Sequence, residues 1–171
     1  MHEIEVQSGE VESLLNRLIE QGEDMTTVNR AIAAALHDQT EQNFARESGP
    51  LGPWQALKNP PERRQGGKIL QDSGRLAASI TESSGADFAA LGTAVVYAAI
   101  QQLGGVTRPH VIEPRYKKAL AFGGHVLARV NHPGSDIPAR PYFPILPDGR
   151  LQPETEGNIV DLLNEYFSSG R

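Results

Sequence analysis

The chain contains no cysteine among its 171 residues, which excludes disulfide scaffolds, thiolate metal sites and cysteine nucleophiles together. Aromatic residues are scarce at 6%, and tryptophan occurs once. The longest nearly apolar stretch, residues 86–100, is interrupted by Asp87, Gly92 and Thr93, and it falls short of the roughly 20 residues of a membrane span. The first residues lack the basic start and apolar run of a secretory signal. We therefore expect no membrane partner.

An excess of positive charge is also lacking. Sixteen Lys and Arg residues stand against 21 Asp and Glu residues, giving a net charge of -5. A protein that holds nucleic acid through a broad surface needs clustered cations to neutralise phosphates, so the composition favours protein partners. Hydrophobic residues make up 39% of the chain, enough at this length for one core and a single domain over residues 1–171.

Two helices are predicted in the N-terminal part, at about residues 9–48. The first has Ser8 as a possible cap and Gly22 as a stop. Its apolar residues recur at helical spacing: Val11, Leu14, Leu15, Leu18 and Ile19. The second starts near Asp24 or Thr26 and reaches about Phe44. Its apolar stripe comprises Met25, Val28, Ile32, Ala35 and Leu36. Both stripes are interpreted as core faces.

A long loop, residues 49–71, follows and is rich in proline and glycine. Trp54 and Leu57 are its main apolar residues. Loops of this length inside a compact domain are uncommon and indicate function or disorder. We expect the loop to be mobile in the free chain.

A mixed region, residues 72–151, and a last helix, residues 153–168, complete the predicted domain. Asp72 or Ser73 caps a short helix at residues 74–80. The further elements follow in order: a hairpin of residues 81–84 and 88–92, a helix at 95–103 ended by Gly104 and Gly105, strands at 111–112, 119–122 and 126–130 with a turn at Gly123 and Gly124, and an extended segment at 136–147. The predicted class is α+β, an antiparallel β-sheet packed with several α-helices.

Motifs for catalysis fail on inspection. Gly66-Gly67-Lys68 would need glycine at position 62 and Ser or Thr at position 69 to form a phosphate loop, but these positions hold Glu62 and Ile69. Asp72-Ser73-Gly74 is explained by a helix cap. The five histidines lack metal-ligand spacing and are interpreted as ordinary side chains: His2, His37, His110, His125 and His132. We predict no catalytic residue, no cofactor and no metal.

Two basic clusters leave alternatives open. One lies in the long loop and the other around the third predicted strand region. Their members are Arg63, Arg64 and Lys68 in the first, and Arg108, Arg115, Lys117 and Lys118 in the second. They could contact DNA phosphates, or they could solubilise strand edges and complement acidic patches on neighbouring proteins. A nucleic-acid-binding module and, more remotely, a small hydrolase are therefore the competing functional classes.

Four segments, in order, resemble the virion morphogenesis (tail completion) family of Mu-like phages. Residues 44–57 carry its aromatic, proline, glycine and tryptophan signature. Residues 69–80 are similar to its leucine, glycine, leucine and serine stretch. Residues 91–105 match its glycine-threonine, tyrosine-alanine, glutamine and glycine pattern, and residues 137–143 match its closing proline-alanine-arginine-proline-aromatic motif. Residues 58–68 and Tyr142, where phenylalanine is more usual, depart from the pattern.

The resemblance implies a non-enzymatic structural protein of the virion tail or neck, present in the host cytoplasm before assembly. It implies a homo-oligomeric ring, hexameric in the virion, that joins tail and head. The implied partners are tail terminator or tail tube proteins and head-tail connector proteins, with a possible passing contact with DNA.

Eight residues are candidates for the subunit interface: Trp54, Arg75, Tyr97, Gly104, Gly105, Arg140, Tyr142 and Phe143. Arg140 stands between two prolines, on a stiff segment that could present its guanidinium to a neighbour's carboxylate, or it is an ordinary surface arginine. Gly104 and Gly105 either stop a helix or permit close approach of subunits. Trp54 either covers the core or anchors the opposite interface surface.

Overall fold

A computed structural model of the chain describes residues 8–20, 24–58, 64–115, 119–122 and 125–169. It has the predicted α+β class. The helices are α1 (Gly9–Glu20), α2 (Met25–Arg46), α3 (Ala98–Leu103) and α4 (Pro153–Ser169). The strands are β1 (Ser48–Gly49), β2 (Gly52–Pro53), β3 (Thr81–Ser84), β4 (Ala89–Gly92), β5 (Gly105–Val106), β6 (His110–Ile112), β7 (Leu120–Phe122), β8 (His125–Leu127), β9 (Val130–His132) and β10 (Asp136–Ile137).

Helix α2 is the central element, and its boundaries follow from local chemistry. The Asp24 carboxylate accepts a hydrogen bond from the Thr26 N–H at 3.0 Å and so caps the helix. The helix ends at Glu47, which adopts the left-handed conformation with φ 52° and donates its N–H to the Phe44 carbonyl at 3.4 Å. The predicted second helix is confirmed. The first is confirmed as α1, whereas Gly22 lies outside the described residues.

The first core lies between α1, the N-terminal part of α2, and α4. Its buried residues come from these three helices and from Leu151: Val11, Leu18, Met25, Val28, Ile32, Leu36, Ile159 and Leu163. Leu163 is 0% exposed and Leu18 is 1% exposed. The apolar stripes predicted for α1 and α2 thus face a common core, and α4 closes it.

The second core surrounds the C-terminal end of α2. Its buried residues come from separate parts of the chain: Phe44, Trp54, Leu76, Ile80, Val95, Ala98 and Tyr142. Phe44 contacts Trp54 edge to face, with ring centroids 5.6 Å apart, and contacts Tyr142 at 5.4 Å. The two cores share α2, which therefore connects them.

The middle of the chain corrects two predicted helices. Residues 74–80 form turns and a short 3-10 helix at Ala77–Ser79 instead of an α-helix, although Leu76 and Ile80 are buried as expected. Helix α3 begins at Ala98 rather than at Val95, because Val95 is packed into the second core and its N–H is bonded to the Thr93 hydroxyl at 3.2 Å. The predicted hairpin is confirmed as β3 paired with β4, which packs on α2.

The described residues between positions 105 and 137 form three antiparallel strand pairs, which we together call the β-ribbon. Strand β5 pairs with β10, β6 with β9, and β7 with β8, all antiparallel. The first two ladders share one register, and Thr107 between them donates its N–H to the Ser135 carbonyl at 2.8 Å. A single predicted strand at 126–130 is wrong: residues 125–127 pair with β7, whereas residues 130–132 pair with β6.

The described strands form five separate two-stranded sheets. The expected antiparallel pairing is present, but the single packed sheet is not. Each ladder spans two to four residue pairs. In the described part of the chain, no helix is long and apolar enough to cross a membrane.

Candidate subunit interface

The closing motif, residues 137–143, lies largely inside the molecule. Trp54, 6% exposed, donates its indole N–H to the Pro141 carbonyl at 3.0 Å. This bond ties the proline-rich loop to the motif at a distance of 87 residues along the chain. The structure therefore places Trp54 over the second core, which is one of the two alternatives left open by the sequence. It also corrects the expectation of a wholly mobile loop, since residues 48–54 are anchored.

Arg140 is buried, being 6% exposed. Its Nε donates to the Gln55 carbonyl at 2.9 Å, and a terminal nitrogen donates to the Ala56 carbonyl at 3.4 Å. Its own N–H is bonded to the Gln101 carbonyl at 2.8 Å. Burial lowers the pKa of the Arg140 guanidinium from its usual value. The assumption of an exposed Arg140 is wrong, because within one chain its guanidinium is occupied by the proline-rich loop.

Tyr142 is the most deeply enclosed residue of the motif, at 1% exposure. The side-chain oxygen of Gln102 accepts from the N–H groups of Tyr142 at 2.9 Å and Phe143 at 3.0 Å. Asn43 donates its amide to the Tyr142 carbonyl at 3.1 Å, and the Tyr142 hydroxyl donates to the Ala98 carbonyl at 3.3 Å. Burial raises the pKa of Tyr142 to about 12.

Two glycines permit the backbone to approach this motif closely. A Cβ at Gly49 would lie 1.9 Å from the Pro141 carbonyl oxygen. Gly104 has φ 72° and ends α3 by donating to the Ile100 carbonyl at 3.0 Å, and a Cβ there would lie 2.8 Å from the Ala139 nitrogen. Gly104 is therefore both a helix stop and a site of close approach, but the approach is within one chain. Gly105 is exposed.

Two buried amide side chains that hydrogen-bond to the closing motif were not predicted from the sequence. Asn43 and Gln102 are 2% and 6% exposed, and they satisfy backbone groups that the prolines leave without regular partners. Asn43 was hidden within an otherwise unremarkable helical stretch. Gln102 had a signal, because it belongs to the glutamine-glycine pattern of residues 91–105.

The surface candidates lie elsewhere. Arg75 is exposed, Tyr97 is 40% exposed and Phe143 is half-buried. Of eleven exposed large hydrophobic residues in the described chain, eight fall between positions 96 and 127. Three of the eight, Val96, Tyr97 and Leu103, lie in or beside α3. The other five lie on the β-ribbon, and we call them the ribbon surface: Val106, Val111, Ile112, Val126 and Leu127. Such a concentration of exposed apolar side chains is typical of an interaction site.

The basic clusters are only partly described. Arg63, Lys117 and Lys118 lie outside the described residues. Arg64 forms an ion pair with Asp72 at 3.3 Å and donates to the Lys68 carbonyl at 3.0 Å, so its charge is engaged within the chain.

Two of the histidines are neighbours, which the sequence did not indicate. His110 and His132 face each other across β6 and β9, with their rings stacked at 5.0 Å. Within the described ranges, no group of three or more His, Asp or Glu side chains could hold a metal ion.

The sequence of this chain is similar to those of phage assembly proteins. The sequence profile of the phage virion morphogenesis family matches residues 6–168. The chain is 32% identical to the "Mu-like prophage FluMu G protein 2" of Haemophilus influenzae over 168 residues, covering 98% of this chain and 96% of that protein. It is also 42% identical to the "Putative capsid assembly protein G" of Escherichia phage Mu over 86 residues, covering 46% of this chain and 55% of that one.

These matches define a structural or assembly protein of a bacteriophage particle. The chain belongs to the phage virion morphogenesis family. No solved structure gives a significant match.

Proposed function

We propose that this chain is the tail completion or neck subunit of a phage, and that it forms a homo-oligomeric ring joining tail to head. The observation that carries the proposal is the β-ribbon, on which five described apolar residues are exposed: Val106, Val111, Ile112, Val126 and Leu127. Val126 is 72% exposed and Val106 is 76% exposed. In the described residues, the extensive contacts of the ribbon strands are with one another. Exposed apolar side chains on a projecting hairpin need a protein partner to bury them.

A ring requires each subunit to offer two different surfaces related by a fixed rotation. The ribbon surface supplies the first. The second is formed by helices α1, α2 and α4 together with the part of the proline-rich loop around Trp54. The buried hydrogen bonds of Arg140 and Tyr142 support this arrangement, because they hold the base of the ribbon against the second core. The motif thus acts by fixing geometry rather than by contacting a neighbour.

The proposed location is the virion, at the neck or tail end, after synthesis in the host cytoplasm. The proposed partners are further copies of the chain, in a hexameric ring, together with tail terminator or tail tube proteins and head-tail connector proteins. A passing contact with DNA is part of the same proposal, since the ring would surround the path of the genome.

A second candidate function is a role in building the capsid itself. The name of the phage Mu relative refers to capsid assembly, and that relative aligns with about half of this chain. Both candidates make the chain a structural protein, but they differ in which particle fails without it.

Deleting the gene from the phage or prophage that encodes it separates the two candidates. We expect electron microscopy of the lysate to show filled heads and complete tails that are not joined, and supplying the intact chain in trans to restore joined particles. Missing or malformed heads would instead support the capsid role. Normal infectious particles would overturn both.

A further inference from the structure

The tip of the β-ribbon is apolar and exposed on strand β8. Val126 is 72% exposed and Leu127 is 40% exposed. Leu127 pairs with Leu120 across the hairpin, and Val126 pairs with Ala121. Because successive residues of a strand face opposite sides, Val126 and Leu127 lie on opposite faces of β8. Arg129, two residues after the end of the strand, is also exposed. The tip therefore offers one exposed apolar side chain on each face and a cation nearby.

A groove with the matching character lies beside the C-terminal half of α2. Its volume is about 290 Å³ and it is open to solvent. The apolar wall consists of Phe44 and Ala45 on α2 and of Ala77, Ala78 and Ile80 opposite. Glu41 lies on its rim, and a second depression of about 380 Å³ shares Glu41 and Ala45 and adds Asp38. Thr40, Lys68 and Gln71 complete the lining. The groove is thus apolar inside and acidic along the edge formed by α2, with one cation, Lys68, among its lining residues.

The net charge of the β-ribbon also differs in sign from that of the rest of the chain. Residues 105–137 carry five Lys and Arg against two Asp and Glu, whereas the rest of the chain has a net charge of -8. The β-ribbon is a basic segment on an acidic body. A second copy of the chain therefore presents the complementary charge, and complementary potentials orient and register two surfaces as they meet.

We propose that the ribbon tip of one copy docks in the α2 groove of a second copy, with Val126 in the groove and Arg129 facing Asp38 and Glu41. The inference rests on the proposed ring and names its two surfaces. Because the tip and the groove are different parts of the chain, each copy can give its tip to one neighbour and receive the tip of the other. Such a head-to-tail contact closes into a ring when the rotation between copies divides a full turn.

DNA is the alternative partner for a basic β-ribbon, but the apolar side chains of the ribbon disfavour DNA binding. Phosphate contacts are made by clustered cations, whereas Val111, Ile112, Val126 and Leu127 place aliphatic groups between the arginines of the ribbon. The acidic body would also repel a duplex lying against it. A groove with an acidic rim accounts for both the aliphatic and the cationic residues.

The absence of cysteine makes a direct test possible, because each introduced thiol is unique. Full-length Val126→Cys protein is mixed with full-length Ala45→Cys protein at high concentration and treated with a short bismaleimide. We expect a covalent heterodimer joining the tip of one copy to the groove of the other. Asn158→Cys, on the exposed face of α4, replaces Ala45→Cys as the matched control and should yield about tenfold less product.

Exchanging the charges of Arg129 and Glu41 then tests whether these two residues contact each other at the edge of the groove. Arg129→Glu in one partner, or Glu41→Arg in the other, should reduce cross-linking about tenfold or more, since like charges then face each other. Combining both changes should restore it. Folding of each variant is checked by its circular dichroism spectrum and melting temperature.

The outcomes separate this inference from the proposed function. If Val126→Cys cross-links to the α4 control position as readily as to Ala45→Cys, docking of the tip in the α2 groove is refuted. That result does not exclude a ring formed through other surfaces. Absence of cross-linking both in concentrated protein and in assembled particles would overturn ribbon docking altogether. If the ribbon instead binds duplex DNA and Arg129→Glu abolishes that binding while no heterodimer forms, DNA is the occupant. The gene deletion decides the proposed function independently of all three.

Discussion

Arg140 illustrates how a residue that looks like a binding residue in sequence can be a structural one. Two prolines do stiffen its segment, but the guanidinium turns inward and donates to the carbonyls of Gln55 and Ala56. Arginine suits this task because its planar fork can reach two acceptors at once. The residue therefore fixes the proline-rich loop to the base of the β-ribbon.

We predict that Arg140→Ala destabilises the isolated chain by about 1.5 to 3 kcal/mol, because hydrogen bonds from a charged donor contribute more than neutral ones. Chemical denaturation followed by fluorescence measures this directly. Arg75→Ala is the control, since Arg75 is exposed and should cost no more than about 0.5 kcal/mol. Equal effects of the two substitutions would show that the inward hydrogen bonds contribute little.

Because Tyr142 is buried, its ionisation lowers the free energy of unfolding at alkaline pH. Burial raises its pKa from 10.0 to about 12 in the folded chain, so the folded state holds the phenolic proton more tightly than the unfolded state. The associated stabilisation is fully present below about pH 10 and is lost as the pH rises through 12, on the order of 2 kcal/mol in total.

Denaturation at pH 8, 10 and 11.5 (roughly spanning this window) should show the loss in the native sequence and a smaller loss in Tyr142→Phe. Tyr97→Phe is the matched control, because Tyr97 is 40% exposed, and it should retain the native pH dependence. If Tyr142→Phe loses stability as steeply as the native chain does, the alkaline effect comes from other groups.

Two glycine substitutions should change the free energy of unfolding in opposite directions. Gly49→Ala places a methyl group against the Pro141 carbonyl, and we expect a loss of about 3 kcal/mol. Gly157→Ala lies inside α4 with no atom within 4 Å of the new methyl group, and should stabilise the chain by roughly 0.5 to 1 kcal/mol. Melting temperatures of the two variants test the pair. A neutral Gly49→Ala would mean that the loop can move away from the motif.

At the scale of elements, the helices with a clear apolar face were predictable and the shorter elements were not. The stripes of α1 and α4 and the Asp24 cap are local signals, so sequence alone located these helices. The start of α3 depends on Val95 being drawn into the second core, which is a tertiary effect. The split of residues 126–130 between two partners depends on the register of the whole β-ribbon, and periodicity carries no information on that.

The β-ribbon and α2 should differ sharply in local stability. Helix α2 is buried along its length by both cores, whereas the ribbon strands have exposed side chains and little to pack against. Elements with few buried apolar contacts open at low free energy. Hydrogen exchange of the isolated chain should therefore show fast exchange in β6 to β9 and slow exchange in the middle of α2.

The same measurement in assembled particles provides the comparison, where burial of the ribbon surface should slow its exchange. Protection of the ribbon in the isolated chain equal to that of α2 would contradict the prediction, since it would require a packing layer that the described contacts do not contain.

At the scale of the whole molecule, the sequence identified the motif residues but not their arrangement. The segments around Trp54, Gln102 and Arg140 lie far apart in the chain, and proximity of this kind is decided by the fold. Their polar and aromatic character fits an interface as well as a core held together by hydrogen bonds. Val106 and Val126, two strongly exposed apolar residues, belong to none of the motifs, and their exposure was evident only from the structure of the β-ribbon.

Because both cores use α2, we expect the chain to unfold as one cooperative unit. Trp54 is the only tryptophan and lies in the second core, so its fluorescence reports that core. Circular dichroism reports chiefly α1, α2 and α4, which enclose the first. The two signals should give the same midpoint in denaturant, as a two-state transition requires.

Leu163→Ala tests the coupling at a distance. Leu163 is fully buried in the first core, and its truncation should cost about 2 to 5 kcal/mol. If α2 transmits this loss, the midpoint of Trp54 fluorescence falls as far as the midpoint of circular dichroism. Leu51→Ala is the control, because Leu51 is 58% exposed, and neither midpoint should move by more than the equivalent of about 0.5 kcal/mol. A fluorescence midpoint that stays in place while the helical signal shifts would divide the molecule into two independent cores, and the base of the β-ribbon would then be held by the second core alone.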